Sequence, residues 1–152
     1  MLNKDYKEML QHFLKEKVDF IVVGAYALAA HGYPRATGDI DLFVKPDKNN
    51  SKNVYQALKK FGAPLHQIKS SDFEQEDIIF QIGVIPRRID IITSISGVSF
   101  EDAKSDISYA EVEGLKLPIL SIEKLIKNKT ATGRDKDLLD VKLLKQMMNQ
   151  EM

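Results

Sequence analysis

The sequence lacks cysteine altogether. This absence excludes disulfide bonds, thiolate nucleophiles and cysteine-ligated zinc, and it leaves the redox compartment unspecified. Net charge is absent as well, because 22 Lys and Arg residues balance 22 Asp and Glu residues. No overall field therefore draws the chain towards nucleic acid or a membrane surface. Any site for a polyanion must be a local cluster of basic residues.

Long apolar runs are also missing. The first segment, MLNKDYKEMLQHFLKEK, carries charges throughout and has no feature of a signal peptide. No run elsewhere approaches the roughly 20 apolar residues of a membrane-spanning helix. Hydrophobic residues make up 43% and charged residues 29%, which is typical of a globular domain. We therefore expect one domain over residues 1–152, in the cytoplasm and without a membrane partner.

Helix-like and strand-like apolar patterns alternate along the chain. Helical spacing predicts an N-terminal helix, a helix after Gly24, and helices over about 50–61, 122–131 and 136–148. Strand-like runs occupy about 20–23, 40–44, 78–82 and 88–93, with a smaller hairpin over 110–117. The order predicts an α/β (α+β) fold, a mixed β-sheet flanked by helices. Its core covers about 18–117, and a C-terminal helical segment covers about 121–148.

Two carboxylates interrupt the predicted strand in GDIDLFV. Side chains at i and i+2 of a strand share one face about 6.5 Å apart, so Asp39 and Asp41 lie together. Two such charges repel by about 2.5 kcal/mol at an effective dielectric near 20. A divalent cation such as Mg²⁺ would offset that repulsion. Taken alone, the pair fits a solvent-facing strand with nearby Lys or Arg partners at least as well.

A third carboxylate, Asp90, interrupts a second apolar strand, RIDIIT. If the two strands are neighbours, three carboxylates gather on one face of the sheet. Two-metal phosphoryl-transfer sites need such an arrangement. The alternative is that Arg87 or Arg88 alone satisfies Asp90.

The segment VVGAYA has the pattern of a strand, a tight turn and a helix. Gly24 allows the backbone to approach a ligand closely, and Ala25 lies at the helix N-terminus, where free N–H groups favour a phosphate. An ordinary turn between a strand and a helix has the same pattern.

These segments together resemble the nucleotidyltransferase superfamily of the DNA polymerase beta type. VVGAYALAAHGYPRATGDIDLFV carries the glycine at a helix start followed by two alternating aspartates. HGYPRATGDIDL resembles a minimal bacterial branch close to the AbiEii-type toxins. RRIDIIT supplies the third carboxylate, and KTATGRDKDLLDV resembles the C-terminal basic motif of that branch. The resemblance runs from about Val18 to Leu144.

The resemblance implies roles for individual residues. Asp39 and Asp41 would bind one or two Mg²⁺ ions, and Asp90 would complete the metal site and help deprotonate the incoming hydroxyl. Gly24 and Ala25 would lie against the triphosphate. The family more often has Gly or Ser at the position of Ala25, so a serine hydroxyl contact is absent here.

The resemblance also implies a nucleotide-binding set of basic residues. Arg35, Lys129 and Arg134 would contact the triphosphate, and Asp137 would act as a base or a ribose contact. Three of these residues have a structural alternative: Arg35 could pair with the strand aspartates, Lys129 could lie on a solvated helix face, and Asp137 could complement a helix dipole. For Asp140 and His31 we favour the structural interpretation.

The implied activity is transfer of a nucleoside monophosphate from a triphosphate such as ATP to an acceptor hydroxyl, with release of pyrophosphate. The resemblance favours a tRNA or protein acceptor, a role as the toxin of a toxin–antitoxin system, and an antitoxin partner. A tRNA would need a local basic patch formed by Arg87, Arg88, Lys116, Lys127, Lys129, Arg134 and Lys136. The alternative is a non-catalytic nucleotide-binding or regulatory module, against which the complete set of three carboxylates counts.

Overall fold

A mixed β-sheet organises the protein, whose structure is a computed structural model that describes residues 2–33, 38–84 and 87–151. Within these ranges six strands form one sheet in the order β3-β4-β2-β1-β6-β5. The strands are β1 (Phe20–Val23), β2 (Ile40–Val44), β3 (Ile79–Ile82), β4 (Ile89–Ile92), β5 (Ser108–Val112) and β6 (Leu115–Ile119). The pairs β1–β6 and β2–β4 are parallel, and the other neighbours are antiparallel.

Helices pack around this sheet. They are α1 (Lys4–Lys15), α2 (Gly24–Ala30), α3 (Lys48–Phe61), α4 (Phe100–Ser105), α5 (Ile122–Thr132) and α6 (Asp135–Glu151), with a 3-10 helix at Ser70–Glu74. Polar residues cap several helix starts, since the side chains of Asn3, Asp47 and Ser121 each accept a backbone N–H in the first turn. The predicted fold class, a mixed sheet flanked by helices, is confirmed. None of the helices in the described ranges has the length and apolar composition that crossing a bilayer requires.

The two faces of the sheet differ in character near β2. Leu42 pairs with Val22 of β1 and Ile91 of β4, so these three buried side chains lie on one apolar face. A neighbour of Val22 on that face, Phe20, contacts Phe13 of α1 edge to face at 5.3 Å between ring centroids. Each buried aliphatic side chain contributes roughly 1.5–3 kcal/mol to folding. The apolar face therefore fixes the positions of β1, β2 and β4, and with them the side chains that point the other way.

Both terminal regions share the core of the sheet. One cluster of buried residues extends from Tyr6 in α1 to Leu144 in α6. The sequence patterns did not predict the 3-10 helix, because five residues are too few to show a helical period. Its buried Phe73 packs against Phe80 of β3, with the ring centroids 6.2 Å apart.

Candidate active site

Two of the three predicted carboxylates lie side by side on neighbouring strands. In the parallel register of β2 and β4, Asp41 is opposite Asp90, and on the other side of β2 it is opposite Val23. Asp39 lies one residue before β2, which begins at Ile40 rather than at the first aspartate. We call Asp39, Asp41 and Asp90 the strand acid cluster. The condition stated from the sequence, that the two strands are neighbours, is therefore met.

A guanidinium joins two members of this cluster. Arg88 Nε donates to Asp90 Oδ1 at 2.8 Å, and Arg88 Nη2 donates to Asp90 Oδ2 at 3.1 Å and to Asp39 Oδ2 at 3.0 Å. These bonds raise the pKa of Arg88, chiefly through the hydrogen bond to Asp90. Of the two arginines considered from the sequence as partners of Asp90, Arg88 is the one in contact. Its position two residues before Asp90, on the same side of the strand, was the signal for this pair.

Asp41 lies in the least favourable electrostatic environment of the three. Burial is the main cause that raises its pKa to about 7, and the charges of Asp90 and Asp39 and a hydrogen bond with Asp90 also contribute to that rise. Arg88 acts in the opposite sense but does not outweigh these effects. The side chains of Asp90 and Asp39 are 11% and 31% exposed. The strand acid cluster therefore brings three carboxylates close together, and Asp41 is partly protonated near pH 7.

Gly24 packs directly against Asp41. Its φ of +70° lies in the left-handed region, and a Cβ at this position would stand 2.5 Å from Asp41 Oδ2. Only glycine satisfies both conditions without strain. The sequence predicted a glycine that lets the backbone approach a ligand, and the group that the structure brings against it is Asp41. Ala25 follows in the first turn of α2, a helix of seven residues.

Tyr6 links the N-terminal helix to the segments that carry the acids. Its hydroxyl donates to the backbone oxygens of Gly38 and Arg88, and its ring contacts Tyr26 edge to face. Burial, with smaller contributions from Tyr26 and Asp39, raises the pKa of Tyr6 to about 12, so the hydroxyl keeps its proton. Sequence reasoning assigned Tyr6 to the apolar stripe of α1 and missed this role. The only signal was a hydroxyl on an otherwise apolar helix face.

The C-terminal motif forms a second ionic cluster, the helix ion cluster, which comprises Lys129, Thr132, Arg134, Asp137 and Asp140. Lys129 Nζ lies 3.4 Å from Asp137 Oδ1 and 3.0 Å from Asp140 Oδ2. Asp137 Oδ2 also accepts from Thr132 Oγ1 at 2.7 Å and from Arg134 Nε at 2.6 Å. Burial would raise the pKa of Asp137, but these hydrogen bonds and the charge of Lys129 lower it overall. Asp137 and Asp140 are both buried.

The predicted site residues thus fall into two groups. Asp39, Asp41, Asp90 and Gly24 come together at the ends of β1, β2 and β4. Lys129, Arg134 and Asp137 come together with one another on α5 and α6, while Arg35 lies outside the described residues. Their predicted roles in binding metal and nucleotide stay predictions.

Two residues interpreted from the sequence as structural make buried or helix-end contacts. Asp140 pairs with Lys129 as described above. His31 ends α2, and its Nε2 lies 2.8 Å from the backbone oxygen of Leu120.

Several of the basic residues proposed for a tRNA patch are paired with other side chains or lie far from the rest. Arg88 contacts the strand acid cluster, and Lys127 Nζ lies 3.9 Å from Asp102 Oδ2. Lys116 lies over the ring of Tyr109 at 4.9 Å on β6, which β1 and β2 separate from β4. These contacts neutralise or separate several members of the predicted patch.

The strand acid cluster fits a divalent cation by its chemistry. Carboxylate oxygens are the preferred ligands of Mg²⁺, and the pKa of Asp41 is raised by burial and by repulsion from Asp90 and Asp39, a repulsion that such a cation would relieve. Across 2–33, 38–84 and 87–151, no three acidic or histidine side chains are arranged as a ready set of metal ligands. Arg88 bonds two of the three carboxylates, so its side chain would have to move away from them when a cation binds. The three side chains are therefore of the right chemical type to bind a divalent cation, and they lie next to one another.

Comparison with known proteins identifies the class as nucleotidyltransferase. The chain matches, over residues 2–152, the family described as nucleotidyl transferase of unknown function (DUF2204), and it belongs to that family. No curated protein matches the sequence. The predicted superfamily and the prediction of an enzyme that transfers a nucleotide are thereby confirmed. Such an enzyme has a nucleotide substrate and an acceptor.

Solved structures share the fold. One is a candidate nucleotidyltransferase from Thermotoga maritima, with a TM-score of 0.62 and 16% identity over 99% of this chain and 96% of that chain. Another is the lincosamide antibiotic adenylyltransferase LnuA with lincomycin bound, with a TM-score of 0.58 and 19% identity over 95% of this chain and 97% of that chain. At these identities the likeness shows the fold alone. The finer resemblance to the AbiEii-type branch stays a prediction.

Proposed function

We propose that this protein uses Mg²⁺ to transfer a nucleoside monophosphate from a nucleoside triphosphate to an acceptor hydroxyl. The acceptor oxygen forms a bond to the α-phosphorus while the bond from that phosphorus to the bridging oxygen breaks, and pyrophosphate leaves. The observation that carries the proposal is the register of Asp41 opposite Asp90, with Asp39 beside them, in a chain of the nucleotidyltransferase family.

The strand acid cluster would hold the cation. Bound there, the cation would supply charge neutralisation for the leaving pyrophosphate and a template for the two reacting oxygens. We assign to Asp90 a second role, accepting the proton of the acceptor hydroxyl. Ile40 and Leu42 of β2 are buried on the opposite face, and they hold Asp39 and Asp41 in register for the cation.

The remaining predicted residues would bind the nucleotide. Gly24 and Ala25, at the first turn of α2, would lie against the triphosphate. We assign Arg134 to a phosphate because its side chain is 64% exposed and bonds Asp137 through Nε, at the inner end of the guanidinium. We also propose that Lys129 and Asp137 of the helix ion cluster bind the nucleotide. For Arg35 the proposed contact with the triphosphate rests on the resemblance alone.

For the acceptor we propose a protein or tRNA hydroxyl, as the resemblance implies. Arg88, Lys127 and Lys129 each pair with an aspartate, which reduces the positive charge that they could offer to a tRNA backbone and favours the protein acceptor. The role as a toxin and the antitoxin partner rest on the resemblance alone.

A labelled-transfer experiment tests the proposal. The protein is incubated with each α-labelled nucleoside triphosphate, in Mg²⁺ or in EDTA, with cell protein, total tRNA or lincomycin as the acceptor. We expect label on one acceptor in Mg²⁺ only, and a loss of about 10³-fold or more when Asp39→Asn and Asp41→Asn are combined. In EDTA this variant should be at least as stable as the wild type, because the carboxylate repulsion is reduced.

A matched control removes two carboxylates elsewhere. Glu101→Gln with Glu111→Gln changes two exposed side chains by the same total charge and should leave transfer intact. If the wild type binds no triphosphate in Mg²⁺, the proposal fails. Binding of a triphosphate without transfer to any acceptor would favour the non-catalytic module instead.

A further inference from the structure

Arg88 is bonded to both oxygens of Asp90 and to Asp39. Its Nε lies 2.8 Å from Asp90 Oδ1, while Nη2 lies 3.1 Å from Asp90 Oδ2 and 3.0 Å from Asp39 Oδ2. The side chain is 22% exposed, so its outer edge reaches solvent. Arg88 thus contacts the same oxygens that the proposed function assigns to a divalent cation.

The backbone of Arg88 is fixed independently of its side chain. Its carbonyl oxygen accepts from Ile40 N at 3.0 Å and from the Tyr6 hydroxyl at 3.2 Å. These bonds attach the start of β4 to β2 and α1. The guanidinium can therefore exchange its partners by side-chain rotation while the register of Asp41 and Asp90 is preserved.

A guanidinium and a divalent cation compete for shared carboxylates. Arginine stays protonated in proteins, so its charge cannot be removed by deprotonation. Two cations near the same oxygens repel strongly in a partly buried site. A metal ion can bind these carboxylates tightly only when the guanidinium leaves at least some of them.

We propose that Arg88 is a built-in counter-cation that competes with the divalent metal for Asp39 and Asp90 and thereby sets the metal affinity of the site. The proposal rests on the proposed function, since it concerns the cation of that reaction. Arg88 is a positioning residue in this scheme, because it acts through the carboxylates. It holds them in place without the metal and yields them when the metal binds.

Binding of Mn²⁺, used as the probe ion, tests the competition directly. At pH 8, isothermal titration calorimetry should show about tenfold or tighter Mn²⁺ binding to Arg88→Gln than to the wild type. Arg87→Gln is the matched control: Arg87 is the adjacent exposed arginine, and none of the ion pairs found among the described residues involves it. Its Mn²⁺ affinity should stay within about twofold of the wild type. Thermal unfolding in EDTA should show a lower Tm for Arg88→Gln, and Mn²⁺ should raise that Tm by more than it raises the wild-type Tm.

A second variant guards against misfolding of Arg88→Gln. Arg88→Lys keeps the charge but loses the fork that bonds two carboxylates, so its Mn²⁺ affinity should fall between the other two. In the wild type, titration with diamagnetic Mg²⁺ should accelerate hydrogen exchange of the Arg88 Nε–H, as measured by NMR.

The failure of this inference is distinguishable from failure of the proposed function. If the wild type binds Mn²⁺ and Arg88→Gln binds it equally or more weakly, Arg88 does not compete and only this inference is overturned. If no variant binds Mn²⁺, both are overturned. Tight binding by Arg88→Gln alone would support the competition even more strongly.

Discussion

The strand acid cluster and the helix ion cluster balance buried carboxylates in opposite ways. In the helix ion cluster, two aspartates are matched by Lys129 and Arg134, and the pKa of Asp137 is lowered. In the strand acid cluster, Arg88 bonds Asp39 and Asp90, and the pKa of Asp41 is raised to about 7. The contacts of Asp137 stabilise the fold, whereas ionisation of Asp41 opposes it.

This difference separates carboxylates that stabilise the fold from carboxylates that the fold does not need. The partners of the helix ion cluster come from one contiguous stretch, 129–140, so α5 and α6 satisfy their own charges. The strand acids come from two strands and keep an unfavourable repulsion that neutral side chains would avoid. Titratable groups with strongly perturbed pKa values concentrate at functional sites. The imbalance therefore favours the strand acid cluster as the site of chemistry.

The largest expected contrast is in stability. Asp137→Asn removes a buried carboxylate from Lys129, Thr132 and Arg134, and should lower the free energy of unfolding by about 3 kcal/mol. Asp41→Asn, measured in EDTA, should leave it unchanged or raise it. Urea denaturation of both variants provides the measurement. An Asp137→Asn variant with wild-type stability and weakened nucleotide binding would instead make Asp137 a ligand-binding residue.

The pH dependence of stability should separate the clusters next. A carboxyl group whose pKa is higher in the folded chain binds a proton more tightly there, so the free energy of unfolding falls as pH rises through that interval. For Asp41 the interval runs from 3.8 to about 7. The fall should be about 4 kcal/mol at most.

Two comparisons check that assignment in EDTA. Chemical denaturation between pH 4 and pH 8 should show the fall in the wild type and a flatter profile in Asp41→Asn. Asp137, whose pKa is lowered, acts in the opposite sense: its stabilisation is present above its unfolded pKa and is lost as pH falls below that value. An unchanged slope in Asp41→Asn would show that another group titrates in this window.

The smallest effect concerns the contact between Gly24 and Asp41. Gly24→Ala places a side chain on a residue with a left-handed φ and also brings its Cβ into a clash with Asp41 Oδ2. Gly62→Ala is the control, because Gly62 also has a left-handed φ, +92°, but nothing lies within 4 Å of the added Cβ. We expect Gly24→Ala to be less stable than Gly62→Ala by about 1 kcal/mol.

A double-mutant cycle sharpens this result. In an Asp41→Ala background the side-chain oxygens are gone, so the excess cost of Gly24→Ala should largely disappear. The cycle is measured by thermal unfolding in EDTA. Equal costs in both backgrounds would place the strain in the backbone alone.

The sequence predicted what depends on local pattern. The alternation in GDIDLFV and the break at Gly24 are properties of a few adjacent residues, and the adjacency of the strands that carry Asp41 and Asp90 could be stated as a condition. The contacts of Arg88 with Asp39 and of Tyr6 with Gly38 depend on residues 49 and 32 positions apart, which no local period encodes. The same holds for Asp41, whose pKa is raised by burial and by the charge of Asp90, which lies 49 positions further along the chain on another strand.

The hydroxyl of Tyr6 connects the N-terminal helix to the backbone that carries the strand acid cluster. It is bonded to the backbone just before Asp39 and to the backbone of Arg88, although α1 carries none of the predicted chemistry. A truncation or fusion that disturbs residues 4–15 would consequently act like an active-site mutation at a distance. In protein engineering, a tag is therefore better placed on the C-terminal side, away from this hydroxyl. Tyr6→Phe would remove the hydrogen bonds that hold the backbone beside Asp39 and at Arg88 while every carboxylate stays in place.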